Sequence, residues 1–252
     1  MNKRYLTQFL TGLALLVVCG FGLTSLAQAQ EEKYQDGVHY KTIDNAPAST
    51  PGLVEVVEAF SYMCNHCATF EPYINSWLKR LPESVKFKRY PVVFGRDTWE
   101  LYARAYNTAD VMNVAEKAHS ALMDKIWKER QVLKSMEELA GFYATFGVNP
   151  DVFVNTSKSF AVDAKIRREQ GFLMAAGVAS TPNIVVNGKY LVSGNEAVAN
   201  FDQLLAVVDF LVAKELAANA AASVAPAAAA EPQAEAAAEN TGQTAAEVTE
   251  KN

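Results

Sequence analysis

The chain has 252 residues, of which 50% are hydrophobic and 20% charged, and its formal net charge at pH 7 is −5. No basic stripe stands out in the sequence, which argues against a nucleic-acid-binding protein. The part between the two chain ends, which differ from it in composition, is long enough for one domain or for one domain with an insertion.

The start of the chain has the three parts of a secretory signal peptide. Lys3 and Arg4 come first, an apolar stretch occupies residues 10–23, and the Ala-Gln-Ala of residues 27–29 fits a cleavage site of the A-x-A type. We therefore predict that residues 1–29 are a signal peptide and that the protein is exported.

Cleavage after Ala29 would remove Cys19 and leave Cys64 and Cys67 as the cysteines of the mature chain. Two alternatives stay open. The apolar stretch with its flanks approaches the ~20 residues needed to cross a bilayer, so an uncleaved signal could anchor the protein in the membrane. Lipidation of Cys19 is the weaker alternative, because Val18 is larger than the residue expected before a lipidated cysteine.

The most informative motif is Cys64-Asn65-His66-Cys67, which lies between a predicted strand, Leu53–Phe60, and a predicted helix, Ala68–Arg80. Two thiols separated by two residues can close and reopen a small disulfide ring without large movement of the chain. At a helix N-terminus, the free backbone N–H groups and the helix dipole would stabilise a Cys64 thiolate and lower its pKa. A structural disulfide is the alternative, but a loop this short stabilises little. The motif therefore predicts a redox-active disulfide.

Strand signals flank this motif. His39–Ile43 alternates weakly, as an edge strand does, whereas Leu53–Phe60 is nearly continuous in its apolar residues, which is typical of a central strand buried on both faces. Val85–Val92 is predicted to be a second central strand. A helix between two such strands predicts a parallel pair joined by a right-handed crossover.

The region that follows has a different character and is predicted to form four or five helices. In three places a capping residue precedes a Glu by three positions, which is the signature of a helix start. These pairs are Asp97 with Glu100, Asn113 with Glu116, and Ser135 with Glu138, and weaker starts occur at Asn149-Pro150 and at Ser157. The aromatic residues that recur through this region are interpreted mainly as core residues.

Strand signals return after the helical region. Asn187-Gly188 joins two β-prone runs, Asn183–Val186 and Lys189–Val192. An Asn-Gly pair in this setting is the strongest short-range signal for a β-hairpin. The sequence therefore predicts an antiparallel hairpin here.

The last predicted element is an amphipathic helix that Asn200 and Gln203 open and that runs to about Leu216. From about Ala213 onward the composition collapses to Ala with scattered Glu, Pro, Gln and Thr, and large apolar residues vanish. Such a segment cannot bury enough surface to order itself. We predict a disordered tail that serves as a tether or spacer.

The order of strand, helix, strand, helical insertion, hairpin and helix predicts an α/β protein with a thioredoxin fold and an inserted all-helical domain. The predicted divisions are a signal peptide at 1–29, the N-terminal part of the thioredoxin fold with the cysteine motif at 30–95, the inserted helical domain at 96–176, the C-terminal part of the thioredoxin fold at 177–217 and a disordered Ala/Glu-rich tail at 218–252.

Three segments of the sequence carry a family resemblance. They are residues 57–72, which hold the cysteine motif and Phe70-Glu71-Pro72, the run Arg89-Tyr90-Pro91-Val92, and residues 180–190, which hold Ser180-Thr181-Pro182. Together with the signal sequence and the helical insertion, they resemble the DsbA family, the periplasmic thiol–disulfide oxidoreductases of Gram-negative bacteria. The resemblance spans about residues 34–216 and excludes the tail.

The resemblance implies a periplasmic enzyme that introduces disulfide bonds into exported, folding proteins by exchange through a Cys64–Cys67 disulfide. It implies no cofactor besides this disulfide and no metal. The implied partners are reduced, unfolded exported proteins and a DsbB-like membrane quinone reductase that reoxidises the enzyme. It also implies a monomer that does not bind nucleic acid.

Roles for the motif residues follow from their positions and from the resemblance. Cys64 would be the nucleophile that forms the mixed disulfide with a client, and Cys67 would be the more buried resolving thiol. A charged His66 beside Cys64 would stabilise the thiolate and so make the disulfide a stronger oxidant. The alternative is an exposed histidine at the helix start with no electrostatic role. Asn65 stands where the best-known members have proline, so their redox potential is not carried over to this chain.

Five further residues are candidates for the site. Thr181-Pro182 resembles the loop that faces the disulfide with a cis peptide bond in thioredoxin folds, where the Thr181 backbone would pair with an extended client strand. Glu58 lies within an apolar strand, where a lone carboxylate is costly to bury, and near Cys67 it could accept or relay the proton of that thiol. The resemblance implies that Arg89 pairs with Glu58, with a structural ion pair as the alternative. Glu71 is a further acidic neighbour.

Other functions stay open from the sequence alone. A disulfide isomerase or reductase would use the same chemistry. Isomerases usually carry a dimerisation segment, and none is evident before Tyr34. A holdase-like binding protein for exported chains is a second alternative. A zinc site is disfavoured, because zinc needs about four ligands and only Cys64, His66 and Cys67 cluster in the sequence.

Overall fold

The computed structural model describes residues 33–44 and 52–224, and the predicted signal peptide lies outside these residues. The strands are β1 (Lys41–Thr42), β2 (Val54–Phe60), β3 (Val85–Pro91), β4 (Asn183–Val186) and β5 (Tyr190–Ser193). The helices are α1 (Asn65–Leu78), α2 (Asp97–Val111), α3 (Ala115–Trp127), α4 (Met136–Ala144), α5 (Pro150–Ser157), α6 (Phe160–Ala175) and α7 (Phe201–Val224). The predicted α/β fold with a helical insertion, α2 to α6, is confirmed.

The five strands form one sheet in the order β1-β5-β4-β2-β3. β2 and β3 are parallel, from Val54 opposite Val85 to Phe60 opposite Pro91, and the other pairs are antiparallel. The predicted parallel pair and the hairpin between β4 and β5 are therefore confirmed. β2 is central, as its continuous apolar sequence predicts, and nearly all of its residues are buried.

The prediction that Val85–Val92 forms a central strand is wrong, because β3 is an edge of the sheet. Its burial alternates, with Lys86 and Lys88 exposed and Arg89 buried. Lysines along an edge strand keep it soluble and discourage pairing with another chain. The alternation of Lys86 and Lys88 with Val85, Phe87 and Arg89 in the sequence is the signal for this position.

Three clusters of buried residues hold these layers together. One joins the sheet to α1 and α7 and includes Val56, Ile74 and Leu211. A second lies on the other face of the sheet and includes Val57 and Leu173. A third fills the helical insertion and extends to the end of β2 and to the cysteine motif. The insertion therefore packs directly on the motif region.

Helix α7 extends past the predicted end at Leu216, as far as Val224. Its start is as predicted: the Asn200 side chain accepts a hydrogen bond from Gln203 N, and the Gln203 side chain accepts one from Ala199 N. Residues 218–224, which we assigned to the disordered tail, are helical. Alanine has the highest helix propensity, so an Ala-rich run can continue a helix that is already anchored. The rest of the predicted tail lies outside the described residues.

The predicted helix starts are confirmed at Ser135 and Asn149, whose side chains accept hydrogen bonds from Glu138 N and Val152 N. At the three others a helix also begins, but the cap lies one or two residues from the predicted one. The caps of α2, α3 and α6 are Arg96, Val114 and Ser159 rather than Asp97, Asn113 and Ser157. Asn113 has a φ of 59° and belongs to the turn after α2, while Ser157 ends α5. Of the described helices, none is long and apolar enough to cross a bilayer.

Candidate active site

The cysteine motif begins where β2 passes into α1. β2 ends at Phe60, and Cys64 is the N-cap residue of α1, so the predicted start of this helix at Ala68 falls three residues late. A turn closes the connection, since Cys64 N donates to Ser61 O at 3.1 Å and Met63 N donates to Ser61 Oγ at 3.1 Å. Both cysteines of the motif are free thiols, so the geometry is that of the reduced dithiol.

Cys64 is the acidic thiol of the pair. Its exposed fraction is 9%, and its Sγ donates to Thr181 O at 3.4 Å in the thiol form. A hydrogen bond from the Cys67 thiol is the largest influence on its ionisation and outweighs the effect of burial. Together with Thr181 and the backbone N–H groups of Cys67 and His66, it lowers the pKa of Cys64 to about 5. Near neutral pH, Cys64 is therefore a thiolate, as its place at a helix start predicts.

Cys67 lies one turn further into α1 and has opposite properties. Its exposed fraction is 1%. Burial raises its pKa well above the ordinary value, and the hydrogen bond that it donates to Cys64 and the charges of Cys64 and Glu58 act in the same direction. The buried thiol therefore keeps its proton while its neighbour is ionised.

Asn65 and His66 are exposed in the first turn of α1. The backbone N–H of His66 contributes to the low pKa of Cys64. The structure thus gives His66 an influence on Cys64 through its backbone, while the influence of its side chain stays a prediction. Asn65 O accepts a hydrogen bond from Thr69 Oγ1 at 3.0 Å, which is an ordinary contact within the helix.

The Thr181–Pro182 loop faces Cys64 at the start of β4, and its peptide bond is cis, as the resemblance implies. A groove of about 210 Å³ opens beside it. Its lining combines His66 with residues of this loop and of the start of α7. These residues are Ser180, Thr181, Pro182, Asn183, Gly194, Val198, Ala199, Asn200, Phe201 and Leu204.

Glu58 is buried in the middle of β2, with 1% of its surface exposed. Arg89, its neighbour on β3 in the sheet register, donates from Nε to Glu58 Oε2 at 3.0 Å. Burial raises the pKa of Glu58 to about 7, and this effect exceeds the opposing effect of Arg89. The pairing implied by the resemblance is present, and the carboxyl group titrates near neutral pH.

Glu71 belongs to the same buried group, on α1. Its Oε1 accepts from Ser120 Oγ at 2.7 Å and from Asn75 Nδ2 at 3.0 Å, and its Oε2 lies 3.8 Å from Arg89 Nη2. Burial opposes its ionisation, but His119, Arg89 and Ser120 together lower its pKa to about 2. Glu71 is therefore a permanent carboxylate.

Sequence reasoning did not assign His119 and Glu116 to the site, although both lie on α3 and reach it. His119 Nε2 is 3.3 Å from Glu71 Oε2, and His119 Nδ1 is 3.0 Å from the Tyr62 hydroxyl. Burial lowers the pKa of His119, and Arg89 adds to this effect, so the ring is neutral near pH 7. Glu116 accepts a hydrogen bond from Arg89 Nη1. Their spacing of three residues, which places both on one face of a helix, was the available signal.

A dithiol with one acidic and one buried thiol, at a strand-to-helix junction of a thioredoxin-like sheet, defines a thiol–disulfide oxidoreductase of the thioredoxin fold. Residues 55–206 match the family model of the DSBA-like thioredoxin domain. The chain belongs to the DsbA family. Its activity is therefore that of a protein dithiol:disulfide oxidoreductase, and the redox group of the family is a disulfide of the chain itself.

Individual relatives support this assignment. The thiol:disulfide interchange protein DsbA of Pseudomonas syringae pv. tomato is 38% identical over 83% of this chain and 96% of its own length. The crystal structure of DsbA from Xylella fastidiosa has 36% sequence identity and a TM-score of 0.68, and it covers 73% of this chain and 98% of its own. The crystal structure of Pseudomonas aeruginosa DsbA has the same identity and TM-score, with coverages of 75% and 97%.

Proposed function

We propose that this enzyme works as an oxidase in the periplasm: it donates a Cys64–Cys67 disulfide to reduced, folding exported proteins. A DsbB-like membrane quinone reductase would then restore the disulfide. The observation that carries this direction of reaction is the low pKa of Cys64, about 5. A stabilised thiolate favours the reduced enzyme, and a disulfide whose reduced form is stable is a strong oxidant.

The first step is attack of a client thiolate on the Sγ of Cys64. A sulfur–sulfur bond forms between the client and Cys64 as the bond between Cys64 and Cys67 breaks, and the electron pair of the broken bond stays on Cys67. Because the pKa of Cys67 is raised, this sulfur takes up a proton. Glu58, whose pKa is about 7, is the proposed donor.

In the second step, another client thiolate attacks the client sulfur of the mixed disulfide. The client disulfide forms, and Cys64 leaves with the electron pair as a thiolate. Its pKa of about 5 makes it a good leaving group at neutral pH. The client has then lost two electrons, and the enzyme has gained them as one thiolate and one thiol.

Reoxidation reverses the roles of the carboxyl group. The Cys64 thiolate attacks a disulfide of the oxidising partner, Cys67 gives its proton to ionised Glu58, and the Cys67 sulfur then displaces the partner from Cys64. A carboxyl group with a pKa near 7 serves both directions, because both of its forms are populated at neutral pH.

The Thr181–Pro182 loop is the proposed client-binding element. Thr181 lies against Cys64, and the groove beside the loop is open to solvent. A client backbone that pairs with Thr181 would bring its cysteine to Cys64 without contacts to particular side chains. This form of recognition suits an enzyme that accepts many clients.

The test is the transfer of a disulfide to a synthetic two-cysteine peptide. The oxidised protein, purified from the periplasm, is mixed with the reduced peptide, and peptide disulfide is measured by mass spectrometry after acid quenching. We expect the protein to oxidise the reduced peptide stoichiometrically, and we expect no oxidation with Cys64→Ala. A second peptide that carries an activated disulfide is expected to form a trapped mixed disulfide with Cys67→Ala. The direction of the reaction in cells is tested by trapping the redox state of Cys64 and Cys67 with acid and alkylation. If most of the enzyme is reduced, the oxidase proposal is contradicted.

A further inference from the structure

One arginine is shared by three carboxylates of the redox site. Arg89 on β3 contacts Glu58 on β2, Glu71 on α1 and Glu116 on α3. Arg89, Glu58 and Glu71 are buried, whereas 57% of the Glu116 side chain is exposed. Glu116 is thus the solvent-exposed member of this otherwise buried cluster.

Glu116 is fixed in place by two hydrogen bonds to its two oxygens. Oε2 accepts from Arg89 Nη1, and Oε1 accepts from the Tyr106 hydroxyl of α2 at 3.0 Å. The sequence pattern assigned Glu116 to a capping box with Asn113, but α3 begins without a side-chain cap. The side chain is held away from its own helix start, over the buried arginine.

We propose that Glu116 is a positioning residue of the redox reaction: it holds Arg89 between the carboxylates of Glu58 and Glu116 and thereby governs proton exchange between Glu58 and Cys67. The inference deepens the proposed function and rests on the role of Glu58 stated there. It assigns a redox function to a residue of the helical insertion that touches neither sulfur.

The physical basis is competition for one positive charge. Arg89 stabilises ionised Glu58, and each further carboxylate on Arg89 weakens that stabilisation, so Glu71 and Glu116 act to raise the pKa of Glu58. The titratable and charged groups that act on Glu58 are Arg89 from β3, Cys67 and Glu71 from α1, and Glu116 from α3. Tyr106 of α2 and His119 of α3 contact Glu116 and Glu71, and β4 places the apolar Ile184 beside Glu58.

Helix α3 makes other contacts with the site, so the position of Glu116 is well defined. Ser120 donates to Glu71, and Trp127 Nε1 donates to Tyr62 O at 2.9 Å, beside the cysteine motif. His119 packs edge-on to Phe60, with ring centroids 4.9 Å apart. The docking of the insertion on the sheet thus sets the distance between Glu116 and Arg89.

The test is the pH dependence of disulfide closure in the purified protein. Reduced enzyme is mixed with enough oxidised glutathione that the rate no longer depends on its concentration. Closure of the glutathione–Cys64 mixed disulfide by Cys67 is then followed by quenched mass spectrometry from pH 5.5 to 8.5. The wild-type rate is expected to rise with an inflection at about 7, the pKa of Glu58.

Glu116→Gln is expected to move this inflection lower by about half to one pH unit, since an exposed like charge acts through a high effective dielectric. Glu116→Asp keeps the charge but shortens the reach to Arg89, and its inflection is expected between the other two. Asp124→Asn is the matched control, because Asp124 is a carboxylate of the same helix, 48% exposed, that pairs with Lys128. It is expected to leave the inflection in place.

Glu58→Gln separates this inference from the proposed function and is expected to abolish the inflection. If Glu58→Gln abolishes it while Glu116→Gln leaves it unmoved, the inference about Glu116 is wrong and the role of Glu58 stands. An inflection that survives Glu58→Gln contradicts both. Should Glu116→Gln fail to fold, Tyr106→Phe keeps the carboxylate and removes one anchor; a smaller shift to lower pH supports the inference, and no shift overturns it.

Discussion

Cys64 and Cys67 lie within one turn of the same helix, yet the groups that surround them differ in kind. Around Cys64 the groups are neutral hydrogen-bonding ones, namely the Cys67 thiol, Thr181 and backbone N–H groups, and an open groove lies beside them. Around Cys67 the site is closed and leads to a cluster of buried charges, Glu58, Arg89 and Glu71.

This difference suggests a division of the chemistry. The neutral, open side suits exchange of sulfur with a client, because a client of any charge can approach it. The charged, closed side suits exchange of protons, because burial keeps a carboxyl group titrating near neutral pH. The thioredoxin-fold core supplies the first side, while the insertion contributes Glu116 and His119 to the second.

The largest effect is expected when Arg89, the positive charge that the buried carboxylates share, is removed from the charged side. Arg89→Met leaves the buried Glu58 and Glu71 without their shared partner. Removal of one partner from a buried ion pair typically costs about 3–5 kcal/mol in the free energy of unfolding. Urea denaturation at pH 7 measures this loss.

The matched control is Arg80→Met, since Arg80 pairs with Asp209 at the surface and is 57% exposed. A surface pair of this kind contributes about 0–1 kcal/mol. The double variant Arg89→Met with Glu71→Gln is expected to be more stable than Arg89→Met alone, because it removes the buried carboxylate that stays ionised at pH 7. Equal losses for Arg89→Met and Arg80→Met would show that the charged cluster contributes no more than a surface pair.

The open side is expected to dominate the pH dependence of stability. The folded-state pKa of Cys64 is about 5, below the value of about 8.5 for an unfolded cysteine. The ionised thiolate therefore stabilises the folded reduced protein above pH ~8.5, and this stabilisation is lost as the pH falls toward 5. The oxidised protein has no thiolate and lacks this contribution.

The measurement is the difference in the free energy of unfolding between the reduced and oxidised proteins at several pH values. Between pH 8 and pH 5 we expect the reduced form to lose roughly 3 kcal/mol of stability relative to the oxidised form, because each pH unit between the two pKa values contributes about 1.4 kcal/mol. The oxidised form is the internal control, because Glu58 titrates in both forms and Glu71 stays ionised in both. A difference that is constant with pH would contradict the assignment of Cys64 as the acidic thiol.

The two sides also differ in how far the sequence predicts them. The open side follows from local signals: the cysteine motif at a strand-to-helix junction, and Thr181-Pro182 before an Asn-Gly hairpin. The buried pair of Glu58 and Arg89 was likewise available, from a carboxylate in the middle of an apolar strand and from the family resemblance.

The spacing of Glu116 and His119 places both on one face of α3, but that this face meets the redox site could not be predicted, because it depends on how the insertion docks on the sheet. The spacing of Asn113 and Glu116 indicated a capping box, but the energy of pairing with Arg89 and Tyr106 outweighs a local cap. His119 is remote from the cysteines in sequence and meets Glu71 only through tertiary packing. Similarly, the edge position of β3 depends on the order of strands, which local patterns do not determine.

The smallest effect concerns His66, which lies at the open side. Its backbone N–H lowers the pKa of Cys64, and its side chain is exposed. His66→Pro removes both the N–H and the imidazole, and proline is tolerated in the first turn of a helix. We expect His66→Pro to raise the pKa of Cys64 by about one unit, the lower end of the range for one hydrogen bond to a charged group, because this N–H is the smallest of the influences on Cys64 named above. The enzyme is then expected to be more reducing.

His66→Ala is the matched variant, because it removes the imidazole and keeps the N–H. If the backbone is the main influence, His66→Ala moves the pKa of Cys64 by less than half as much as His66→Pro. Thiolate absorbance at 240 nm against pH gives the pKa, and the equilibrium with glutathione gives the redox effect. Equal shifts in the two variants would assign the tuning to the imidazole charge instead, and an unchanged glutathione equilibrium in both would exclude His66 from it.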